Sequence, residues 1–146
     1  FLFVGTKDKK REKIVNYLNK YFRVRCYGLG WENEPIFSHK LNNLYNSSKI
    51  ILNFNRNGDG FSVRIFQILG SGSFVISEYT KDLKKLFKNK YHIIWYYNLK
   101  QLKKLCNFYL NHRAEREKIS ANAYKEAKKK YTWNKIIKEI KNKTYV

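Results

Sequence analysis

The sequence is poor in several residue types that mark particular classes of protein. It has no methionine, only two cysteines and a single proline in 146 residues. Cys26 and Cys106 lie far apart without metal-ligand spacing around either, so we expect two buried free thiols. No apolar run reaches the roughly 20 residues that span a bilayer, and no signal peptide opens the chain. We therefore expect a cytoplasmic protein, and the missing methionine indicates a piece of a longer polypeptide.

Acidic residues are also scarce. The 11 Asp and Glu residues face 31 Lys and Arg residues, which gives a net charge of +20. Such a charge favours an anionic partner, which can be nucleic acid, a phosphorylated ligand or an acidic membrane surface. Much of the charge lies in lysine clusters such as residues 128–130, which are typical of a solvated helix surface. The net charge therefore does not identify which of these anionic partners binds.

The apolar residues that are present indicate an α/β fold. Short apolar runs at 2–4, 50–54 and 74–76 have the length of strands buried on both faces, and amphipathic helical patterns separate them. Strands that alternate with helices predict one domain with a parallel sheet and helices on both faces. The predicted strands are 2–5, 24–27, 50–54, 74–76 and 91–96; the predicted helices are 8–21, 38–45, 62–70, 81–87 and several from 99 to the end.

The chain is organised around residues 49–78, which have the length of a compact βαβ crossover. In such a unit the helix begins at the carboxyl end of the sheet, where α/β proteins bind ligands. Gly58 and Gly60 let backbone N–H groups approach an anion ahead of the helix, and Ser62 can cap it. A second loop at the same edge begins at Gly5 and continues through the polar turn 6–11. Two such loops favour a phosphate-bearing ligand, although neither is a Walker motif.

The helix that follows Ser62 is apolar around most of its circumference. Arg64, Gln67 and Ser71 form its one polar stripe, and polar groups on a buried helix need partners. Those partners can be neighbouring backbone, a carboxylate or a bound ligand. Other chemistry is not indicated, because the three histidines, His39, His92 and His112, have no metal spacing and no nucleophile elbow occurs.

Motifs along the chain also match those of a known family. They are Phe-Val-Gly-Thr at 3–6, Tyr-Gly-Leu-Gly-Trp at 27–31, Leu-Tyr-Asn-Ser-Ser-Lys-Ile-Ile-Leu-Asn at 44–53, Ser-Val-Arg-Ile-Phe-Gln-Ile-Leu-Gly-Ser-Gly-Ser-Phe-Val-Ile-Ser-Glu at 62–78, Arg-Ala-Glu-Arg-Glu-Lys-Ile-Ser-Ala-Asn-Ala at 113–123 and Tyr-Thr-Trp at 131–133. In order and spacing they resemble the C-terminal domain of GT-B glycosyltransferases, in the group-1 subset that includes the CgeB-like proteins. The resemblance covers essentially the whole chain.

The resemblance implies that residues 1–146 form one Rossmann-like domain that binds a nucleotide-sugar donor such as a UDP- or GDP-sugar. No further cofactor and no metal are implied, and the acceptor site would lie on an N-terminal domain that this chain lacks. The implied diphosphate contacts are Gly5, Thr6, Lys7, Arg11, Gly58, Gly60, Ser62 and Arg64. The implied ribose and base contacts are Gln67, Tyr27, Gly28, Gly30 and Tyr45. The family has Phe-Glu where this chain has Phe66-Gln67, and His-Thr where it has Tyr131-Thr132; the amide of Gln67 can bond hydroxyls but supplies no charge.

Two other interpretations follow from the charge. One is a basic nucleic-acid-binding module without catalytic activity, although no helix-turn-helix, zinc-finger or RNP-type sequence occurs. The other is compatible with the donor-binding domain: the basic helices would dock it on anionic lipid at the inner face of a membrane.

Overall fold

The computed structural model describes residues 1–56 and 60–144, and within them five parallel strands form one sheet in the order β2-β1-β3-β4-β5. The strands are β1 Leu2–Val4, β2 Arg25–Tyr27, β3 Ile51–Asn53, β4 Val75–Glu78 and β5 Ile94–Tyr96. The helices are α1 Lys9–Asn19, α2 Ser38–Asn46, α3 Arg64–Gly70, α4 Lys81–Leu86, α5 Leu99–Asn111, α6 Arg113–Lys130 and α7 Trp133–Thr144. The predicted α/β class with a parallel sheet is confirmed.

Helices cover both faces of the sheet, which explains why the strands are apolar on both sides. Leu52 belongs to the core cluster that includes α1 and α5, whereas its neighbour Ile51 belongs to the cluster that includes α2, α3, α4 and part of α6. Both side chains are fully buried. Successive strand residues point to opposite faces, so a strand between two helical layers needs apolar side chains at every position.

Several helix starts are set by local capping, and the start of α3 differs from the prediction. Asp8 caps α1, as its carboxylate accepts a hydrogen bond from the Arg11 backbone N–H at 2.9 Å. The helix α2 begins at Ser38, as the predicted helix 38–45 does, and Phe37 stands at its cap position without a side-chain cap bond. By contrast, α3 begins at Arg64 with Val63 at the cap position, while the Ser62 hydroxyl accepts from the Arg64 N–H at 3.3 Å.

Two further expectations concern buried positions. Cys26 and Cys106 are both free and buried, as predicted, and burial raises the pKa of each thiol to about 12. Val63 was expected on the buried surface of its helix, but it is 75% exposed because it precedes the first helical turn. Among the described residues, no helix combines the length and apolar character needed to cross a membrane.

The connections place a crevice between β1 and β3. From β1 the chain passes through α1 to β2 at one side, and it then returns through α2 on the opposite face to β3 at the other side of β1. Open α/β sheets bind ligands outside the carboxyl ends of the strands at such a reversal of strand order. The loops that begin at Gly5 and Phe54 border this crevice.

Candidate functional site

A cleft of about 450 Å³ opens at the carboxyl ends of β1 and β3. Its described lining residues are Gly5, Thr6, Arg11, Asn55, Arg56, Gly60, Phe61, Ser62 and Arg64. Three of these residues are arginines, and none of those described is acidic. The cleft is therefore suited to an anion.

Arg64 projects from the first turn of α3 towards the Gly5 loop. Its Nη1 donates to the side-chain oxygen of Asn53 at 3.3 Å, and its guanidinium carbon lies 5.4 Å from the centre of the Phe3 ring. The guanidinium packs so closely on the backbone that a Cβ added to Gly5 would lie 2.5 Å from Nη2. Glycine at this position therefore makes room for the cation.

The charge of Arg64 is not balanced by a carboxylate in the described part of the chain. Burial, and then the neighbouring charge of Arg11, lower the pKa of the Arg64 guanidinium. An arginine stays protonated at neutral pH even so. Among residues 1–56 and 60–144, a partly buried cation is thus left facing the cleft without a carboxylate partner.

Arg11 is held differently. It is only 4% exposed and lies in the first turn of α1, within the predicted helix 8–21. Its Nη1 donates to the Thr6 carbonyl at 2.9 Å and its Nη2 to the Phe54 carbonyl at 3.0 Å, while Nε lies 3.4 Å from the Asp8 carboxylate. Arg11 therefore joins the loops that follow β1 and β3, and its charge has a partner.

The glycine turns after β1 and β2 pack directly against each other. The Gly5 N–H donates to the Tyr27 carbonyl at 2.8 Å, and the Trp31 indole donates to the Gly5 carbonyl at 2.8 Å. A Cβ on Gly28, whose φ is +133°, would lie 2.5 Å from that same carbonyl. Gly30 also has a positive φ, of +83°. This packing fixes the Gly5 loop from behind.

The structure brings together six of the sequence-predicted site residues and separates the others. Gly5, Thr6, Arg11, Gly60, Ser62 and Arg64 line the cleft. Lys7 points away, because its ammonium pairs with Glu12 at 2.8 Å. Tyr27, Gly28 and Gly30 lie behind the Gly5 loop, Gln67 is exposed on α3, and Gly58 lies outside the described residues.

The side chain of Tyr45 is buried and does not present an exposed surface to the cleft. Its side chain is 1% exposed within the core on the α2 and α3 face, and burial raises the pKa of its hydroxyl to about 12. Tyr45 is absent from the described lining of the cleft, and its assignment as a base contact stays a prediction. The residue was expected at the cleft from its place in a motif, and motif position does not reveal which face of α2 is buried.

Several cleft residues were missed from the sequence. Asn55 and Arg56 line the cleft, and they follow Phe54 just beyond Asn53, the fully buried last residue of β3. Asn55 is 4% exposed, and neither polar atom of its side chain has a hydrogen-bond partner within the described chain. The signal was a run of polar residues directly after a buried apolar strand, which is where a parallel sheet places ligand-binding groups.

Glu78 at the end of β4 completes the described surroundings of the cleft. Its carboxylate pairs with Lys10 at 2.7 Å and accepts from the Asn55 backbone N–H at 3.2 Å. The negative charge of Glu78 is therefore used to fix the loop after β3. Within residues 1–56 and 60–144, no three His, Cys, Asp or Glu side chains cluster as a metal site would require.

Comparison with known structures agrees with this fold. HepE from Anabaena, solved with UDP-glucose, has a TM-score of 0.81 at 12% identity, covering 99% of this chain and 48% of HepE. The C-terminal domain of LpcC, a group 1 glycosyl transferase family protein from Francisella tularensis, has a TM-score of 0.64 at 15% identity, with 90% and 86% coverage. TarM has a TM-score of 0.71 at 10% identity, covering 97% of this chain and 34% of TarM. The chain thus spans about half the length of HepE.

The family assignment rests on the sequence itself. Among curated proteins, no sequence matches the chain. The profile of the family described as glycosyl transferase-like, however, matches residues 10–142, which include α2 to α6, most of α1 and α7, and four of the five strands of the described fold. The chain therefore belongs to the glycosyl transferase-like family, and the resemblance to group-1 GT-B glycosyltransferases is confirmed.

Proposed function

We propose that this chain is the donor-binding domain of a glycosyltransferase and that it binds the diphosphate of a nucleotide sugar in the cleft between β1 and β3. The observation that carries the proposal is the guanidinium of Arg64, which faces this cleft without a carboxylate partner in the described chain. A diphosphate would supply the missing negative charge through short, charge-assisted hydrogen bonds.

The same interaction would assist glycosyl transfer. When the bond from the sugar to the diphosphate breaks, negative charge develops on the leaving phosphate. A guanidinium held in place before the reaction stabilises that charge in place of a metal ion. The backbone N–H groups of Gly60 and Ser62, residues that line the cleft beside Arg64, are the further donors that we assign to the phosphates.

We assign the nucleoside to the edge of the cleft outside the phosphate contacts. Gln67 is exposed on α3, one turn beyond Arg64, where its amide can bond the ribose hydroxyls. Tyr27, Gly28 and Gly30 border the Gly5 loop and remain our candidates for the side of the base. UDP is the first nucleotide to test, because the HepE structures contain UDP-glucose or UDP with glucose.

The acceptor site belongs to a second domain in this proposal. The chain covers 48% of HepE and 34% of TarM, and both proteins have further chain that this sequence does not match. We therefore assign donor binding to residues 1–146 and assign the acceptor to an N-terminal domain joined to them.

A thermal-shift panel tests the proposal. UDP, GDP, ADP and CMP, with uridine as the uncharged control, would each be added at rising concentration. A ligand present at 100 times its Kd stabilises the fold by about 2.7 kcal/mol, so a binding nucleotide raises Tm progressively. We expect at least one nucleoside diphosphate to do so and uridine to have a much smaller effect. The proposal fails if no nucleoside diphosphate raises Tm.

Nucleic-acid binding is the second candidate, favoured by the net charge of +20. It predicts an oligonucleotide affinity that falls steeply with salt, since each phosphate contact releases a counterion. A mobility-shift titration with random oligonucleotides at low salt separates the two functions. Docking on anionic lipid is compatible with donor binding, and flotation with liposomes that contain or lack anionic lipid tests it.

A further inference from the structure

Behind Arg64 lies a short chain of hydrogen bonds that crosses from β3 to β4. The Asn53 side-chain oxygen accepts from Arg64 Nη1 at 3.3 Å, and the Asn53 amide donates to the Ser77 hydroxyl at 3.0 Å. Ser77 in turn donates to the Glu78 carbonyl at 3.1 Å. Asn53 and Ser77 are fully buried and directly opposite in the register of the two strands.

The direction of these bonds fixes which end of the Asn53 amide faces Arg64. A serine hydroxyl has one hydrogen, and that of Ser77 is used on the Glu78 carbonyl. The Ser77 oxygen must then accept from Asn53, so the amide presents its NH₂ to Ser77 and its carbonyl oxygen to Arg64. The guanidinium is therefore anchored by an acceptor that is itself held in place.

The anchor is also electrically neutral, which distinguishes Arg64 from its neighbour. Arg11 lies beside Asp8, whose carboxylate is 3.4 Å from Nε, so the charge of Arg11 has an internal partner. An aspartate at position 53 would occupy the same volume as the asparagine but would form an ion pair with Arg64. Such a pair would compete with any anion that enters the cleft.

We propose that Asn53 is a positioning residue: held by Ser77, it orients Arg64 towards the cleft while leaving the full positive charge available to a diphosphate. This inference rests on the proposed function, since it names how one residue of that site is prepared. Asn53 acts through Arg64 and has no direct contact with the ligand in this scheme.

The test compares UDP with uridine by calorimetry in the parent chain and in Asn53→Asp, Asn53→Ala and Ser77→Ala. Asn53→Asp should weaken UDP binding about tenfold or more and leave the Kd for uridine within about twofold of the parent's. The reason is that only UDP carries a diphosphate that can interact with the charge of Arg64. The Tm of Asn53→Asp should equal or exceed that of the parent, since the new carboxylate pairs with Arg64. Asn107→Asp on the exposed surface of α5 is the matched control for the added negative charge, and it should leave both affinities unchanged.

The two neutral variants test the effect of the orientation of Arg64 on UDP binding without adding a charge beside it. Asn53→Ala and Ser77→Ala keep the charge of Arg64 but loosen its anchor, so each should weaken UDP about twofold to fivefold, less than Asn53→Asp does. In an Arg64→Ala background, Asn53→Ala should have no further effect, because its action passes through Arg64.

Each result supports or contradicts either the role of Asn53 as a neutral anchor or the proposed diphosphate contact. If the parent binds UDP more tightly than uridine and Asn53→Asp binds both as the parent does, the neutral anchor is wrong while the proposed function stands. Equal losses for UDP and uridine would also overturn it, since they would indicate a change of shape alone. If the parent itself does not distinguish UDP from uridine, the proposed diphosphate contact fails and the anchor fails with it. Should Asn53→Asp not fold, Ser77→Ala decides the question, and an unchanged UDP affinity there overturns the inference.

Discussion

The arginines of the cleft and the lysines of the last helices show two different uses of positive charge. Arg11 and Arg64 are held by carbonyl or amide oxygens, and both lie over the ring of Phe3. On α6, by contrast, Lys130 pairs with Glu126 one turn away and remains 54% exposed. The net charge of the chain comes mostly from exposed lysines of the second kind, so it does not by itself locate a binding site.

The physical difference lies in solvation. Exposed ion pairs contribute roughly 0–1 kcal/mol, and salt screens them. A cation withdrawn from water interacts more strongly with an anion that reaches it, because the surrounding dielectric constant is lower. Two oriented guanidiniums can therefore matter more for a small diphosphate than a surface rich in lysine.

The largest expected effect concerns stability at Arg11. Arg11→Met removes the donors of the Thr6 and Phe54 carbonyls, and an unsatisfied buried acceptor costs about 1–3 kcal/mol. We therefore expect the free energy of unfolding to fall by about 3 kcal/mol in urea denaturation. Arg113→Met is the control, since Arg113 is 81% exposed and its ion-pair partner in the described part of the chain is Glu117 on its own helix. Equal stability of the two variants would contradict the contrast between buried and exposed cations.

Arg64→Ala should have the next largest effect, on UDP affinity. Loss of a charge-assisted contact of about 1.5–3 kcal/mol corresponds to roughly a tenfold to hundredfold weaker Kd, measured by calorimetry. Arg113→Ala carries the same change of charge on the surface and should bind UDP as the parent does. An Arg64→Ala chain that binds UDP with the parent's Kd would remove Arg64 from the site.

A smaller effect is expected at His92, which lies near the basic end of α6. Burial lowers the pKa of His92, Glu126 opposes that shift, and Lys88 and Lys130 add to it. Its ring Nδ1 accepts a hydrogen bond from the Lys88 backbone N–H at 3.2 Å, which only the neutral ring can do.

The sign of the pH dependence follows from that shift. The unfolded chain takes up the His92 proton first, so this contribution is fully present above about pH 6.5 and is lost progressively as the pH falls from there through the lower pKa of the folded state. The loss cannot exceed about 1.4 kcal/mol per pH unit. In urea titrations between pH 7.5 and 5.5, His92→Asn should lose less stability than the parent, because its amide oxygen can accept the same bond without titrating. Parallel pH curves would show that His92 does not contribute.

The smallest expected effect is at the exposed lysines. The triple variant Lys128→Gln, Lys129→Gln, Lys130→Gln removes three positive charges from the last turn of α6. We expect its Kd for UDP to remain within about twofold of the parent's at 150 mM salt, where charges more than about 8 Å apart are screened. A tenfold loss of UDP affinity would place the ligand at these lysines; a loss of oligonucleotide binding alone would leave the cleft assignment intact.

The fold was predictable where local sequence determines burial. The runs at 50–54 and 74–76 are apolar at nearly every position, and only a strand between two helical layers needs that pattern. Alternation with helices then predicted the parallel sheet, and the connection lengths predicted crossovers. The sequence also placed Gly5 and Arg64 at one edge of the sheet, because carboxyl ends of parallel strands meet there.

The site was less predictable where it depends on tertiary contacts. Tyr45 and Lys7 each occur beside predicted site residues, yet Tyr45 turns into the core and Lys7 pairs with Glu12. Asn53 and Asn55 were missed because their importance comes from the residues that pack around them. No local pattern reveals that Asn53 meets Ser77 on the neighbouring strand or that Arg64 returns from α3 to meet it.

The most direct test of the account is to locate UDP on the protein by backbone amide chemical shifts in solution, which a chain of 17.7 kDa permits. We predict that the largest UDP-induced shifts occur at Gly5, Thr6, Gly60, Ser62 and Arg64, at the carboxyl ends of β1 and β3, with little change in α6 and α7. Shifts centred on the lysines at 128–130, with the Gly5 and Arg64 amides unmoved, would contradict the assignment of the cleft.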